Sequence, residues 1–312
     1  MSEESSWEKQ ALESLLNENL KDKRSERRWR TIWRVIWLGL FLFALYTFFN
    51  PFKNKSSSVL GKHTALINIQ GEIASNTPAN AGDINAALQA AFESPDSVGV
   101  IVKINSPGGS PVQAGMIHDE MLRLRKEYPK KHLYVVVEDI CASGGYYIAV
   151  AAEKIYVDKA SLIGSIGVIM SGFGFTGLMD KLGVERRVIT AGENKDMLDP
   201  FIKQDPKNRE VLQTMINEIH QQFIDVVKNG RGDRLKPNDT LFTGMVWNGA
   251  RSIELGIADE IGTMDFVAKE VIGQKDIIDY SQTENVAERI AKRFGASFGT
   301  SFAQAMQLMS VK

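Results

Sequence analysis

Two glycine turns carry the residues best suited to chemistry: Asn105-Ser106-Pro107-Gly108-Gly109-Ser110 and Cys141-Ala142-Ser143-Gly144-Gly145-Tyr146. Each follows an apolar run and opens a helical pattern, the position where α/β folds place their chemistry. Paired glycines let backbone N–H groups turn toward a ligand, and the helix behind adds the positive end of its dipole. The first turn therefore suits an oxyanion hole, which needs donors fixed where negative charge develops. In the second, Ser143 begins a helix with an accessible hydroxyl, and its own N–H can serve the same anion. Singly, each turn is equally at home as a plain strand-to-helix connection, with Ser143 as an N-cap. It is the pair that points to a serine nucleophile. Neither turn matches GxxxxGK[ST] or GxGxxG, so no nucleotide is implied.

A serine nucleophile needs a base. The histidines are His63, His118, His132 and His220, and none lies between Ser143 and His220. His63 stands in the stretch before the first strand, and His132 belongs to a Lys130-Lys131-His132 cluster. His118 shares a helix face with Met121 and Leu122, which reads as packing. A Ser-His-Asp triad thus has no good candidate, and lysine is the other known partner of serine. A lysine base must be neutral, which requires burial or a cationic neighbour to lower its pKa. Lys195, in Gly192-Glu193-Asn194-Lys195-Asp196, reads by itself as a solvated loop residue. Cys141, the one cysteine, reads as a small buried thiol and excludes an internal disulfide. Arg231-Gly232-Asp233 reads as a polar turn.

The elements that must position these turns alternate. Strands are expected at 65–69, 98–104, 133–137 and 155–157, with helices at 83–92 (Asp83 as cap), 110–127 and 143–152. Apolar strands alternating with helices indicate a mainly parallel sheet with helices on its faces. A further helical block is expected from Asn208 to Lys228, and 285–309 has an amphipathic pattern. The 312 residues, 44% hydrophobic and 24% charged, suit an anchor plus one sizeable domain that needs no staples. A net charge of −1 gives no sign of nucleic acid.

Charge is nonetheless unevenly placed. Lys21, Lys23, Arg24, Arg27, Arg28, Arg30 and Arg34 crowd the stretch before the apolar run Val35–Phe49. With Ile32 and Trp33 the run reaches roughly 18 residues, near the minimum for a bilayer span. A cleaved signal peptide would need a small-residue site close behind, and Asn50-Pro51-Phe52-Lys53 offers none. The reading is therefore a retained signal anchor whose basic flank stays in the cytoplasm, placing all that follows outside. The expected organisation is a cytoplasmic basic tail at 1–31, a transmembrane anchor at 32–49 and a tether at 50–62. A folded domain at 63–275, which holds both glycine turns, and an amphipathic tail at 276–312 complete it.

The SPGG turn, the ASGGYYIA turn, Gly164-Ser165-Ile166-Gly167 and the Gly192–Lys195 segment occur in an order and spacing that resemble the short form of the signal peptide peptidase A family. Leu241-Phe242-Thr243-Gly244 and the LGIADEIG run at 255–262 fit it too, so the likeness covers Thr64 to Ile272. The resemblance implies a fold like those of Clp protease and crotonase, built from repeated ββα units and preceded by one transmembrane helix. It implies Ser143 as nucleophile, Lys195 as general base, Ser165 orienting the lysine, and Gly109 and Gly144 as oxyanion donors. It further implies no metal or cofactor. The implied substrate is an extended apolar peptide, such as a remnant signal peptide. The implied assembly is a ring-like homo-oligomer whose serine and lysine come from adjacent subunits, at a bacterial cell membrane with the catalytic domain outside. Two other readings are an acyl-CoA enzyme on the related fold and an inactive membrane scaffold. The first has no use for an export anchor, and Ser143 and Lys195 together argue against both.

Overall fold

The computed structural model describes residues 29, 32–42 and 61–281. Residues 32–42 are helical, and no described helix is long and apolar enough to cross a membrane. The remainder of the expected anchor, nearly all of the tether and the amphipathic pattern at 285–309 lie outside the described residues.

Residues 61–281 form β1 (His63–Gln70), α1 (Ala81–Glu93), β2 (Ser97–Ser106), α2 (Pro111–Glu127), β3 (His132–Ala142), α3 (Gly144–Ala149), β4 (Lys154–Val157) and β5 (Leu162–Gly164). There follow α4 (Thr176–Leu182), α5 (Pro206–Arg231), β6 (Val246–Asn248), α6 (Gly249–Glu254), β7 (Glu260–Ile261), α7 (Met264–Phe266, continued by a π turn) and β8 (Ile277–Asp279). The sheet runs β6-β5-β3-β2-β1-β8, with β4 and β7 branching from β3. Every pairing is parallel except β5 with β6.

Apolar runs make the central strands. Ala65, Ile67 and Ile69 of β1 join Val100, Val102, Leu133 and Val135 under α1, α2 and α3. The alternate residues Leu66, Ile101, Val136 and Tyr156 face a smaller cluster with Val267 and Ala268. Burial on both faces explains why these strands read as continuous Val/Ile/Leu runs rather than as alternation. His63 is not part of a tether: it is buried in β1, and its ring bonds the Tyr280 hydroxyl at 2.8 Å. The sheet also passes the expected domain end at 275, because β8 pairs β1 from Thr64 to Leu66.

The helix caps follow local chemistry. Asn80, not Asp83, caps α1: its side-chain oxygen accepts from the Asp83 N–H at 2.9 Å, while its amide donates to the Asp83 carboxylate at 2.8 Å. This reciprocal pair resembles a capping box with Asp83 in its third position. Ser110 caps α2, with Pro111 in the first turn where a missing N–H costs nothing.

β3 is the strand that builds the site. Its first half pairs β4 through Val136, and its last residues pair β5 from Ile140 to Ala142. Against β2, Ile104 faces Val137 and Ser106 faces Cys141, so two steps on β2 meet four on β3. The irregularity at residues 138–140 leaves a notch of about 620 Å³ between β4 and β5. It also lets β3 run eleven residues, directly to Ser143.

Candidate active site

The two glycine turns are brought edge to edge. β2 ends at Ser106, which is fully buried; its hydroxyl donates to the Gly71 carbonyl at 2.6 Å and accepts from the Gly108 N–H at 3.1 Å. Ile73 then forms a parallel bridge with Gly109, donating to the Gly108 carbonyl at 2.9 Å while its carbonyl accepts from Ser110 at 2.7 Å. Those bonds belong to the residues on either side of Gly109, so the N–H of Gly109 faces away from Ile73. A Cβ on Gly109 would lie 2.1 Å from the Ile73 oxygen, and one on Gly108 would lie 2.7 Å from both the Gly144 nitrogen and Ser143 Cβ. Only glycine fits either position. Across the gap, a Cβ built on Gly144 would stand 3.3 Å from the Gly109 nitrogen. The backbone nitrogens of Gly109 and Gly144 therefore lie close to each other beside Ser143.

Ser143 itself adopts φ 51° and ψ −121°, and its side chain makes no capping bond to α3. Among the described residues, Ser143 and Ser165 are the non-glycine residues with positive φ, both at 51°. A serine in this region carries a cost of order 1–3 kcal/mol and persists only where its surroundings impose it. Here the imposition is visible. In the parallel ladder Ala142 pairs with Gly164, so Ser143 and Ser165 are the next residues on neighbouring strands. The Ser143 N–H donates to the Gly164 carbonyl at 2.9 Å, and the Ser165 N–H donates to the Met245 carbonyl at 2.7 Å. The Trp247 ring covers Gly164, leaving no room for a Cβ there. Both serines are half-buried and accessible from the same end of the sheet.

Lys195 stands apart from this cluster. It lies in a turn, donates its own N–H to the Gly192 carbonyl at 3.2 Å and is exposed. No hydrogen bond joins it to Ser143 or Ser165 among the described residues. It belongs to an arm, residues 167–205, in which no residue is buried. The arm has order of its own. Phe175 donates its N–H to Pro200 at 2.7 Å, Phe175 stacks on Phe201 with ring centres 5.5 Å apart, and Arg186 pairs with Asp199 at 3.0 Å. Ile169, Phe173, Leu182, Ile189 and Leu198 nevertheless point into solvent.

The histidines are engaged elsewhere. His118 is buried, edge-on to Tyr147 and 3.0 Å from Asp119; His132 contacts Glu153 at 2.8 Å. His220 Nε2 donates to the Ile166 carbonyl at 3.2 Å, which fixes that nitrogen as the protonated one. Cys141 is buried, and burial pushes its thiol far above its ordinary pKa, so it stays protonated and inert. Among the described residues no cluster of three or more His, Cys, Asp or Glu is placed to hold a metal.

One group of residues escaped the sequence reading. Arg231 ends α5 and is itself buried, with bonds from its guanidinium to both Asp259 oxygens at 2.8 and 2.9 Å. Arg234 adds a longer contact to Asp259 at 3.3 Å. Burial raises the Asp259 pKa, but the hydrogen bonds and charge of Arg231, with the Ile155 N–H, outweigh it and hold the carboxyl below its usual value. The only signal in the sequence was an acidic residue in the LGIADEIG run, far along the chain from its partner.

The profile of peptidase family S49 matches residues 125–277. The chain is 32% identical over 215 residues to a putative protease of Synechocystis, covering 68% of this chain and 73% of that protein. It is 32% identical over 187 residues to the putative signal peptide peptidase SppA of Enterococcus faecium, covering 60% of this chain and 54% of the other. A protein of Brucella abortus named as a Na(+)/H(+) antiporter, NhaA, is 44% identical over 188 residues, of which this chain spans 25%.

Proposed function

From the premise that this chain belongs to peptidase family S49 and is a serine peptidase, we propose that it hydrolyses extended apolar peptides with a Ser143/Lys195 dyad. The observation that carries the proposal is the positive-φ Ser143 set beside the nitrogens of Gly109 and Gly144. Ser143 Oγ attacks the scissile carbonyl, and its proton passes to the neutral amine of Lys195. The carbonyl oxygen, now negative, takes hydrogen bonds from the Gly109 and Gly144 N–H groups, the kind of fixed donor an oxyanion needs. Lys195 then returns the proton to the leaving amine, and water releases the acyl group by the same route reversed. The Ser165 hydroxyl, one strand spacing from Ser143, orients the lysine.

The exposed arm supports a shared site. Lys195 must come within hydrogen-bond reach of Ser143 to act as its base. It sits on a segment whose apolar side chains are uncovered, and a contiguous exposed apolar surface marks an interaction site. A second copy of this chain accepting the arm would cover that surface and deliver Lys195 to its own Ser143. Repeated head to tail, the contact closes into a ring.

The substrate reading, remnant signal peptides, draws on the name of the Enterococcus relative and on the apolar segment at 35–49. That segment and its basic flank support a single-pass anchor with the peptidase outside. A fluorophosphonate should label wild type at Ser143 and not Ser143→Ala, and the full chain should cleave a synthetic signal peptide. Labelling elsewhere refutes the nucleophile, and no cleavage by an unlabelled aliquot of a preparation that labels at Ser143 refutes the substrate. Alkaline phosphatase fused after Lys312 should be active; activity of a cytoplasm-only reporter there refutes the topology.

A further inference from the structure

α3 is six residues long, yet it carries Ser143 at its start and the Gly144 N–H in its first turn. A helix this short has no stability of its own, so its orientation must be imposed by what it packs against. Its buried side shows how. Tyr146 is fully buried and its hydroxyl donates to the Ile257 carbonyl at 2.8 Å. Burial pushes that hydroxyl far above its ordinary pKa, so it remains a donor wherever the protein is folded.

The acceptor is itself anchored. Arg231 Nε donates to the Gly256 carbonyl at 2.9 Å while its fork holds Asp259. The N–H groups of Ile257 and Ala258 both end on the Ser252 carbonyl. Arg234 reaches the Glu153 carbonyl at 2.9 Å, tying the same loop to the start of β4. At the other end of α3, Gly230 approaches so closely that a Cβ would lie 2.5 Å from the Val150 oxygen. Among the described residues, the Tyr146 bond is the side-chain hydrogen bond that leaves α3 for the rest of the domain.

We propose that Tyr146 is a positioning residue: its hydroxyl, hooked on the Ile257 carbonyl, sets the rotation of α3 and so aims the Ser143 hydroxyl and the Gly144 N–H. The inference rests on Ser143 being the nucleophile. Tyr146 touches no reacting atom and acts through the helix alone.

The test pairs Tyr146→Phe with Thr64→Val in the full chain. Thr64 is also fully buried and its hydroxyl donates to the Gln274 carbonyl at 2.7 Å, at the β1–β8 edge of the sheet. Each variant loses one buried hydroxyl bond and keeps its shape. Both are expected to lower Tm by similar amounts. Tyr146→Phe alone should slow fluorophosphonate labelling of Ser143, and kcat, roughly ten- to a hundred-fold at unchanged KM, the scale of an ångström-sized misplacement. Labelling of folded Tyr146→Phe at the wild-type rate overturns the proposal. If Tyr146→Phe does not fold, Arg231→Lys keeps a charge against Asp259 but surrenders the bond to Gly256. That variant, folded, must show the same slowing, and a wild-type rate overturns the proposal equally. Failure of wild type to label at Ser143 removes the premise, an outcome separate from both.

Discussion

The Ser143 turn and the Lys195 arm are built on opposite plans. Around Ser143 the backbone is closely constrained: Gly108 and Gly109 admit no Cβ, and the Ser143 N–H is bonded to Gly164. Around Lys195 no residue is buried and large apolar side chains face solvent. One half of the proposed dyad is thus fixed by the fold of a single chain. The other is presented, on an arm with internal order but nothing among the described residues packed over it. In the proposed mechanism the acid-base half of the site is placed by assembly, and the nucleophilic half by folding.

The largest effect that tests this division is loss of activity in either half. Ser143→Ala and Lys195→Ala should each lose activity by roughly 10³-fold or more, as members of a catalytic unit do. Co-assembled in equal amounts, the two variants should recover roughly a quarter of wild-type activity, since each site draws its serine and lysine independently. A verified mixed oligomer with no activity refutes sharing and leaves the dyad standing.

Next in size is Gly108→Ala. The new methyl would meet the Gly144 nitrogen and Ser143 Cβ at 2.7 Å, in backbone with φ 104°. Displacing the oxyanion donors should lower kcat by roughly 10²–10³-fold. Gly177→Ala, on the arm where a Cβ meets nothing within 4 Å, should leave kcat within two-fold. Equal losses in the two variants would erase the contrast between the regions.

Stability should follow the same line. Asp259→Asn strands the buried Arg231 charge and should cost about 3–5 kcal/mol at neutral pH, read by urea unfolding. Because the folded-state pKa of Asp259 is depressed, its contribution is complete above the unfolded value of about 3.9. It is lost as pH falls through the folded value. The gap between wild type and variant should therefore be constant from pH 7 to 5 and narrow below pH 4. A gap that widens in acid contradicts the assigned pairing.

The smallest expected stability effect belongs to the arm. Ile189→Asp places a charge on a fully exposed side chain and should change unfolding free energy by no more than about 0.5 kcal/mol. Light scattering should show smaller assemblies than wild type. An intact oligomer would show that this apolar face is not the contact between copies.

What the sequence disclosed was whatever is decided locally. The runs 98–104 and 133–137 announce buried parallel strands, and SPGGS and ASGG mark the strand-to-helix turns, because glycine and capping chemistry act within a few residues. The helix start at Ser110 was legible for the same reason. Asn80 was missed in favour of Asp83, since both are good caps and the choice depends on a reciprocal bond between them. β3 runs past Val137 through Glu138 and Asp139, whose charge hides a strand left unpaired there on both flanks. β5, β6 and β8 span three residues each and owe their existence to partners far along the chain. Arg231 looked like part of a polar turn, because nothing near it reveals Asp259. The strained backbone of Ser165 was equally invisible: a serine after glycine says nothing about φ until Met245 takes its N–H.

Ser143 and Ser165 follow a paired couple, Ala142 and Gly164, on adjacent parallel strands. Their separation is consequently read off the hydrogen-bond lattice, whose interstrand spacing of about 4.8 Å hardly varies among proteins. Side-chain packing does not enter that ruler. A thinned core beneath the sheet, such as Val135→Ala, would lower the melting temperature while leaving the two hydroxyls at their native distance until the sheet itself opens. An insertion of one residue in β5 would instead move Ser165 to the other face of its strand. The machinery is thus tolerant of what fills the interior and intolerant of how many residues precede it.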